Sequence, residues 1–151
     1  MKSFIALCLL SLVSTNAMTR TLEETESWII KQTEVNPYGL KHGIEGDVLI
    51  SKFTIVTIGG ETIEKGIPIS QITKIAYMHT NEYLSYTMTC DTPCVYLLDE
   101  PDEKQPKFLF EIYKNLDKSY VLRMNKALLN LVKLHGGSVK TVNAEAIKEA
   151  Y

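Results

Sequence analysis

The sequence predicts an α+β fold in which a run of short strands is closed by one long helix. Three observations carry this expectation. Residues 47–112 are rich in β-branched and aromatic residues, interrupted by Gly-Gly, proline-bearing and charged turns. One amphipathic helix, residues 117–135, follows, and Gly136-Gly137 stops it. A shorter helix, residues 21–32, precedes the strands.

The chain begins with one basic residue, Lys2, then an apolar run from Phe4 to Leu10, then small residues ending at Ala17. That order is the pattern of a secretory signal peptide, with cleavage expected after Ala17. The run is too short to cross a bilayer, which takes about 20 apolar residues. A true start at Met18 would require the pattern to arise by chance, so export to a periplasm or the exterior is the expectation. Removing 17 of 151 residues leaves 134. That length suits a single domain, expected over residues 18–137 with a tail over 138–151. After leader removal no segment approaches membrane-spanning length, so integral membrane insertion is not expected. Sixteen Lys and Arg against 18 Asp and Glu give a net charge of −2. The chain therefore lacks the basic surface that drives non-specific nucleic-acid binding.

Thr21 stands three residues before Glu24, which is capping-box spacing for the first helix. Leu22, Thr25 and Ile29 fall on one side of it with Trp28 adjacent, and Asn36-Pro37-Tyr38-Gly39 then forces a turn. Residues 47–58 read as a strand with imperfect alternation, which predicts a bulge or burial on both faces. Gly59-Gly60 makes a hairpin to a short return strand over 61–64. Pro68 has no backbone donor, so Ile67-Pro68-Ile69 is not expected in a central strand. Residues 72–77 form the next strand. Residues 82–90 alternate cleanly, with Leu84, Tyr86, Met88 and Cys90 on one face. Residues 95–98 are expected to pair back across Asp91-Thr92-Pro93. The charged loop 99–106 reads as a solvated tip, and Phe108, Phe110 and Ile112 alternate as the last strand.

The closing helix has Asp117 as its natural cap and Gly136 for the left-handed position beyond its end. Met124, Leu128, Leu131 and His135 make its apolar stripe, widened by Val121, Ala127 and Val132. Arg123, Lys126, Asn130 and Lys133 take the opposite side. A short helix from Asn143 is expected in the tail.

Two cysteines remain after export, Cys90 and Cys94. Flanking a turn between paired strands, they would lie near the roughly 5.5 Å Cα spacing that a bridge needs. They are a candidate disulfide. A thioredoxin-like role needs Cys-x-x-Cys at a helix start, which this is not.

With Ile67-Pro68-Ile69-Ser70-Gln71-Ile72, Lys74-Ile75 and Ala127-Leu128-x-x-Leu131-x-x-Leu134 before Gly136-Gly137, residues 21–137 resemble a pleckstrin-homology-like domain. The resemblance is closest to uncharacterised exported bacterial versions that open on a Trp-bearing helix, here with Trp28. It implies a bent antiparallel β-barrel or sandwich of about seven strands, capped by the C-terminal helix, with an added N-terminal helix. It also implies a docking or scaffold role for a peptide or protein. The Gly59-Gly60 hairpin sets Glu61 and Glu64 beside Lys52 and Lys65, which departs from the basic headgroup cradle of phosphoinositide-binding members.

Candidate chemistry is sparse. His42, His79 and His135 have no partner at metal-ligand spacing. His79 and Glu82 flank Thr80-Asn81, where a general base is imaginable, but no nucleophile elbow, phosphate loop or carboxylate pair backs it. No catalytic, metal or cofactor-binding residue is assigned, and no cofactor is expected. Tyr83 and Tyr96 are expected to point outward on neighbouring strands, as a partner-binding surface or as a cross-strand pair stabilising the sheet. The leading expectation is thus an exported non-catalytic binding module for a peptide or protein. The alternative is an open-barrel carrier of a small apolar ligand or lipid, against which the closing helix argues by plugging one end. A third class, an enzyme using Cys90, Cys94 or His79, has the least support.

Overall fold

Local signals at the first helix translate directly into geometry. The computed structural model describes residues 20–55, 59–114 and 116–144. The leader, and the cleavage expected after Ala17, lie outside them. Helix α1 (Leu22–Lys31) opens on the full capping box, with the Thr21 hydroxyl accepting from Glu24 N–H and the Glu24 carboxylate accepting from Thr21 N–H. Nine strands follow: β1 (Lys41–Glu45), β2 (Val48–Ile55), β3 (Glu61–Pro68), β4 (Lys74–His79), β5 (Tyr83–Thr89), β6 (Val95–Leu97), β7 (Lys104–Gln105), β8 (Phe108–Tyr113) and β9 (Thr141–Ala144). Helix α2 (Lys118–Leu134) lies between the last two.

The strands form two sheets, one ordered β1-β2-β3-β6-β7 and the other β8-β5-β4-β9. All pairs are antiparallel except β4 with β9. The α+β architecture is therefore borne out, with nine strands in two sheets. A 3-10 turn (Ile69–Gln71) carries the chain from one sheet to the other. Pro68 closes β3 opposite Val48, at the strand's end, where β6 has already stopped pairing. The missing donor therefore costs the sheet no bond in its interior.

Three expectations change. Residues 95–97 do not pair back onto β5; they cross to the other sheet and pair with β3 and β7. Alternation reports which face a residue takes, and it says nothing about which strand lies alongside. Strands β1 and β7 were not anticipated, because Lys41–Glu45 has little apolar content and Lys104–Gln105 is two residues long. Asn143 lies in a strand rather than at a helix start: residues 141–144 run parallel to β4, from Lys74↔Thr141 to Tyr77↔Ala144, and the rest of the expected tail helix lies outside the described residues. The expectation of a bulge or burial on both faces for β2 is met by the second, since the consecutive residues Leu49, Ile50 and Ser51 are all buried. Leu49, Ser51 and Phe53 share one face, and Ser51 is buried opposite Lys65 and His42.

Both sheets and both helices contribute to one core, built on Ile29, Leu49, Ile67, Leu84, Tyr86, Phe108, Phe110 and Met124, all fully buried. The stripe read from the sequence puts Met124, Leu128, Leu131 and Val132 into that core, while Arg123, Lys126 and Lys133 are exposed. Asp117 caps α2 by accepting from Tyr120 N–H. At the other end Gly136 has φ +82°, and the amides of Gly136 and Gly137 return to Lys133 and Val132. This is the Schellman pattern. Gly137 is needed for a second reason: a Cβ there would lie 2.5 Å from the Ser70 carbonyl oxygen of the 3-10 turn.

Candidate functional site

The disulfide pair and the tyrosine pair meet different fates. Cys90 and Cys94 are bridged, with Cα atoms 6.0 Å apart. The bridge closes the crossover from β5 to β6 between the sheets, rather than a hairpin loop. Within that loop Asp91 ion-pairs with Lys140 and accepts from the Thr73 hydroxyl, contacts that hold its carboxyl below the usual range. The crossover is thereby tied to the segments that enter β4 and β9. Its features are those of a structural fastening.

Tyr83 and Tyr96 both point outward, yet β5 and β6 belong to different sheets and the two residues are not neighbours. The expectation of one outward pair is corrected. Tyr96 lies over Gly66, where a Cβ would stand 3.1 Å from its ring, and the Lys104 ammonium sits 4.6 Å from its centroid. A tyrosine filling the gap left by a strand glycine and covered by a cation is already satisfied by its own fold.

Tyr83 has other company. It is directly opposite Tyr113 on β8, and the two rings stack with centroids 5.9 Å apart. Tyr38, from the Pro-Tyr-Gly turn, meets Tyr113 edge-on at 5.2 Å. The Asn36 side-chain Oδ1, which accepts from Tyr38 N–H, fixes that turn. The three rings line an open cleft of about 790 Å³ together with Val35, Pro37 and Lys114. Tyr38 is 76% exposed and Val35 74% exposed. The Tyr113 hydroxyl donates to the Glu111 carboxylate, which also accepts from Ser85. Burial first, and then that bond, push the Tyr113 phenol up to about 12. The ring therefore stays neutral and the rim keeps fixed hydrogen-bonding groups.

Sequence reading named Tyr83 and missed Tyr38 and Tyr113. Tyr113 was legible: on β8 it shares outward parity with Leu109 and Glu111, as Tyr83 does with Ser85 on β5. Tyr38 was not, because its position depends on where a turn folds in space.

The remaining candidates are structural. His79 Nε2 lies 3.2 Å from the Leu116 carbonyl oxygen, and His135 Nε2 bonds the Glu26 carboxylate at 2.8 Å, joining α2 to α1. His42 Nε2 accepts from Glu111 N–H at 3.1 Å, linking β1 of one sheet to β8 of the other, and its ring lies 4.6 Å from Phe110. Burial lowers its pKa to about 4, opposed by the Ile50 carbonyl, although Nδ1 makes no well-formed hydrogen bond. Among the described residues no three His, Cys, Asp or Glu side chains gather as a metal site, and no helix is long and apolar enough to cross a membrane. No family model, curated protein or solved structure matches the chain, so the geometry above carries the functional argument by itself.

Proposed function

We propose that this chain is an exported, non-catalytic binding module for a peptide or protein partner, and that Tyr38, Tyr83 and Tyr113 form its docking cleft. The observation that carries this is the exposure of a contiguous aromatic trio beside Val35 and Pro37. Tyrosine offers rigid apolar area with a polar tip, and it is enriched where proteins dock. Stacked aromatics in an open groove suit an extended or proline-rich segment, which loses little entropy on binding. The Cys90–Cys94 bridge supports an oxidising destination and thus the reading of the leader.

The finer fold reading is of the pleckstrin-homology-like kind. Two sheets round one core and a helix contributing its whole apolar face support a bent barrel capped by α2.

The test is photocrosslinking in cells of the source organism. A photoreactive aromatic residue in place of Tyr38 should give a discrete adduct in the extracytoplasmic fraction, whose mature chain starts at or near Met18. The same probe at Lys126, on the exposed face of α2, should not. Adducts that are identical from both positions, or a full-length cytosolic chain, would overturn the reading.

A further inference from the structure

A second concavity lies on the far side of β8 from its partner β5. It measures about 370 Å³ and is lined by apolar side chains, among them Leu40, Phe53, Phe108 and Leu109, from both sheets. None of its lining comes from α2, so the closing helix does not plug it. Within that wall stands Lys65. Its cross-strand partners are Ser51 on β2 and Leu97 on β6, and by strand alternation it shares a face with Ile63 and the fully buried Ile67. It is therefore an inward-facing cation on an apolar surface. Lys107 lines the same opening. Among the described residues neither ammonium pairs with a carboxylate. Glu111, the one acid in the lining, is engaged by Ser85 and Tyr113.

We infer that this inter-sheet groove binds an anionic amphiphile, its hydrocarbon chain lying on Leu40, Phe53 and Leu109 and its carboxylate or sulfate head meeting Lys65 and Lys107. Charge complementarity selects that occupant. The apolar walls favour a chain of the size usual for small-ligand pockets, about 300 Å³ and upward. Two cations without an internal partner favour an anionic end. The rival explanation is that Lys65 and Lys107 guard the open edge of β8, since charges there also discourage strand addition. A charge kept only for that purpose requires no ligand and no preference between head groups.

Dodecanoate titrated into the intact chain below its micelle concentration, followed by amide chemical shifts, separates the two. The groove account expects saturable one-to-one binding, with shifts clustered on β2, β3, β7 and β8. Dodecyltrimethylammonium, of equal chain length and opposite charge, should bind about tenfold or more weakly, the loss expected for one charge-assisted contact. Lys65→Met keeps the aliphatic stem and should weaken dodecanoate by a similar factor with a native spectrum. Should that variant misfold, the two head groups on the unaltered protein still decide. Equal affinity for both heads, shifts centred on Tyr83 and Tyr113, or no saturable binding would each overturn the inference.

Discussion

Two apolar surfaces of this molecule use similar residues to opposite ends. Under α2, Met124, Leu128, Leu131 and Val132 are almost wholly removed from water, and the Tyr86 hydroxyl beneath the helix is satisfied by Asn125 at 2.6 Å. In the tyrosine cleft, Tyr38 and Val35 keep about three quarters of their surface exposed while Tyr83 and Tyr113 stack beneath them. Burial of an apolar side chain stabilises by about 25 cal/mol per Å² removed from water. The first surface therefore contributes to folding, and the second leaves apolar area uncovered, as the proposed docking role requires. The α1–α2 contact is intermediate. Ile29 is buried there, but Thr25 with Asn130, Glu26 with His135 and Gln32 with Tyr120 make it a polar seam.

The contrast is breakable by denaturation of single variants. The largest effect belongs under α2. Leu128→Ala and Leu131→Ala should each cost about 2 to 5 kcal/mol through the cavity left behind, while Lys126→Ala should change stability by less than about 0.5 kcal/mol. Similar small losses at all three would mean that the helix is not packed on the sheets.

Next in size is the seam held by His42. Its folded pKa of about 4 lies below the ordinary 6.5. The unfolded chain therefore takes up the proton first as pH falls. The contribution to stability is complete above about pH 6.5 and is lost progressively toward pH 4, at most about 3 kcal/mol. His42→Gln keeps an acceptor for Glu111 N–H and cannot titrate, so its stability should fall less between pH 7 and pH 4.5 than that of the unaltered protein. Parallel acid limbs for the two proteins would remove His42 as the cause.

Gly137→Ala follows, at about 1 to 3 kcal/mol, because the new methyl meets the Ser70 backbone at 2.5 Å and backbone yields less than a side chain does. A melting temperature equal to that of the unaltered protein would show that α2 approaches the 3-10 turn less closely. The smallest effects belong to the cleft. Tyr83→Ala should cost about 1 kcal/mol for one lost aromatic pair. Tyr38→Ala should lie within about 0.5 kcal/mol, as for other exposed positions. A loss at Tyr38 as large as at Leu128 would make the cleft part of the core.

The sequence made the local elements legible and the long-range ones obscure. Thr21 with Glu24, Asp117 and Gly136 announced both helices to within a residue or so, because a cap acts through hydrogen bonds a few residues away. Leu84, Tyr86 and Met88 marked the buried face of β5 for the same reason of short period. Pairing was a different matter. Val95 was expected beside β5 and lies instead in the other sheet, since the choice is made by Gly66, which lets Tyr96 settle over β3 some thirty residues earlier in the chain. The same limit governed the site. Tyr83 was identified from its own strand, whereas Tyr113 and Tyr38 reach it by tertiary pairing and by a turn. The inward face of Lys65 escaped notice because a lysine in a strand usually faces solvent, and only the register against Ser51 and Leu97 turns it inward.

The central claim is that the tyrosine cleft is reserved for a partner. It is tested most directly by the yield of the position-38 crosslink in Tyr83→Ala protein, at a temperature where that variant remains folded. Removing Tyr83 takes away half of the stacked pair on which the proposed docking depends, while leaving the fold standing. The account predicts that the discrete adduct disappears although the denaturation midpoint moves only slightly. An adduct of undiminished yield from the Tyr83→Ala protein would contradict it.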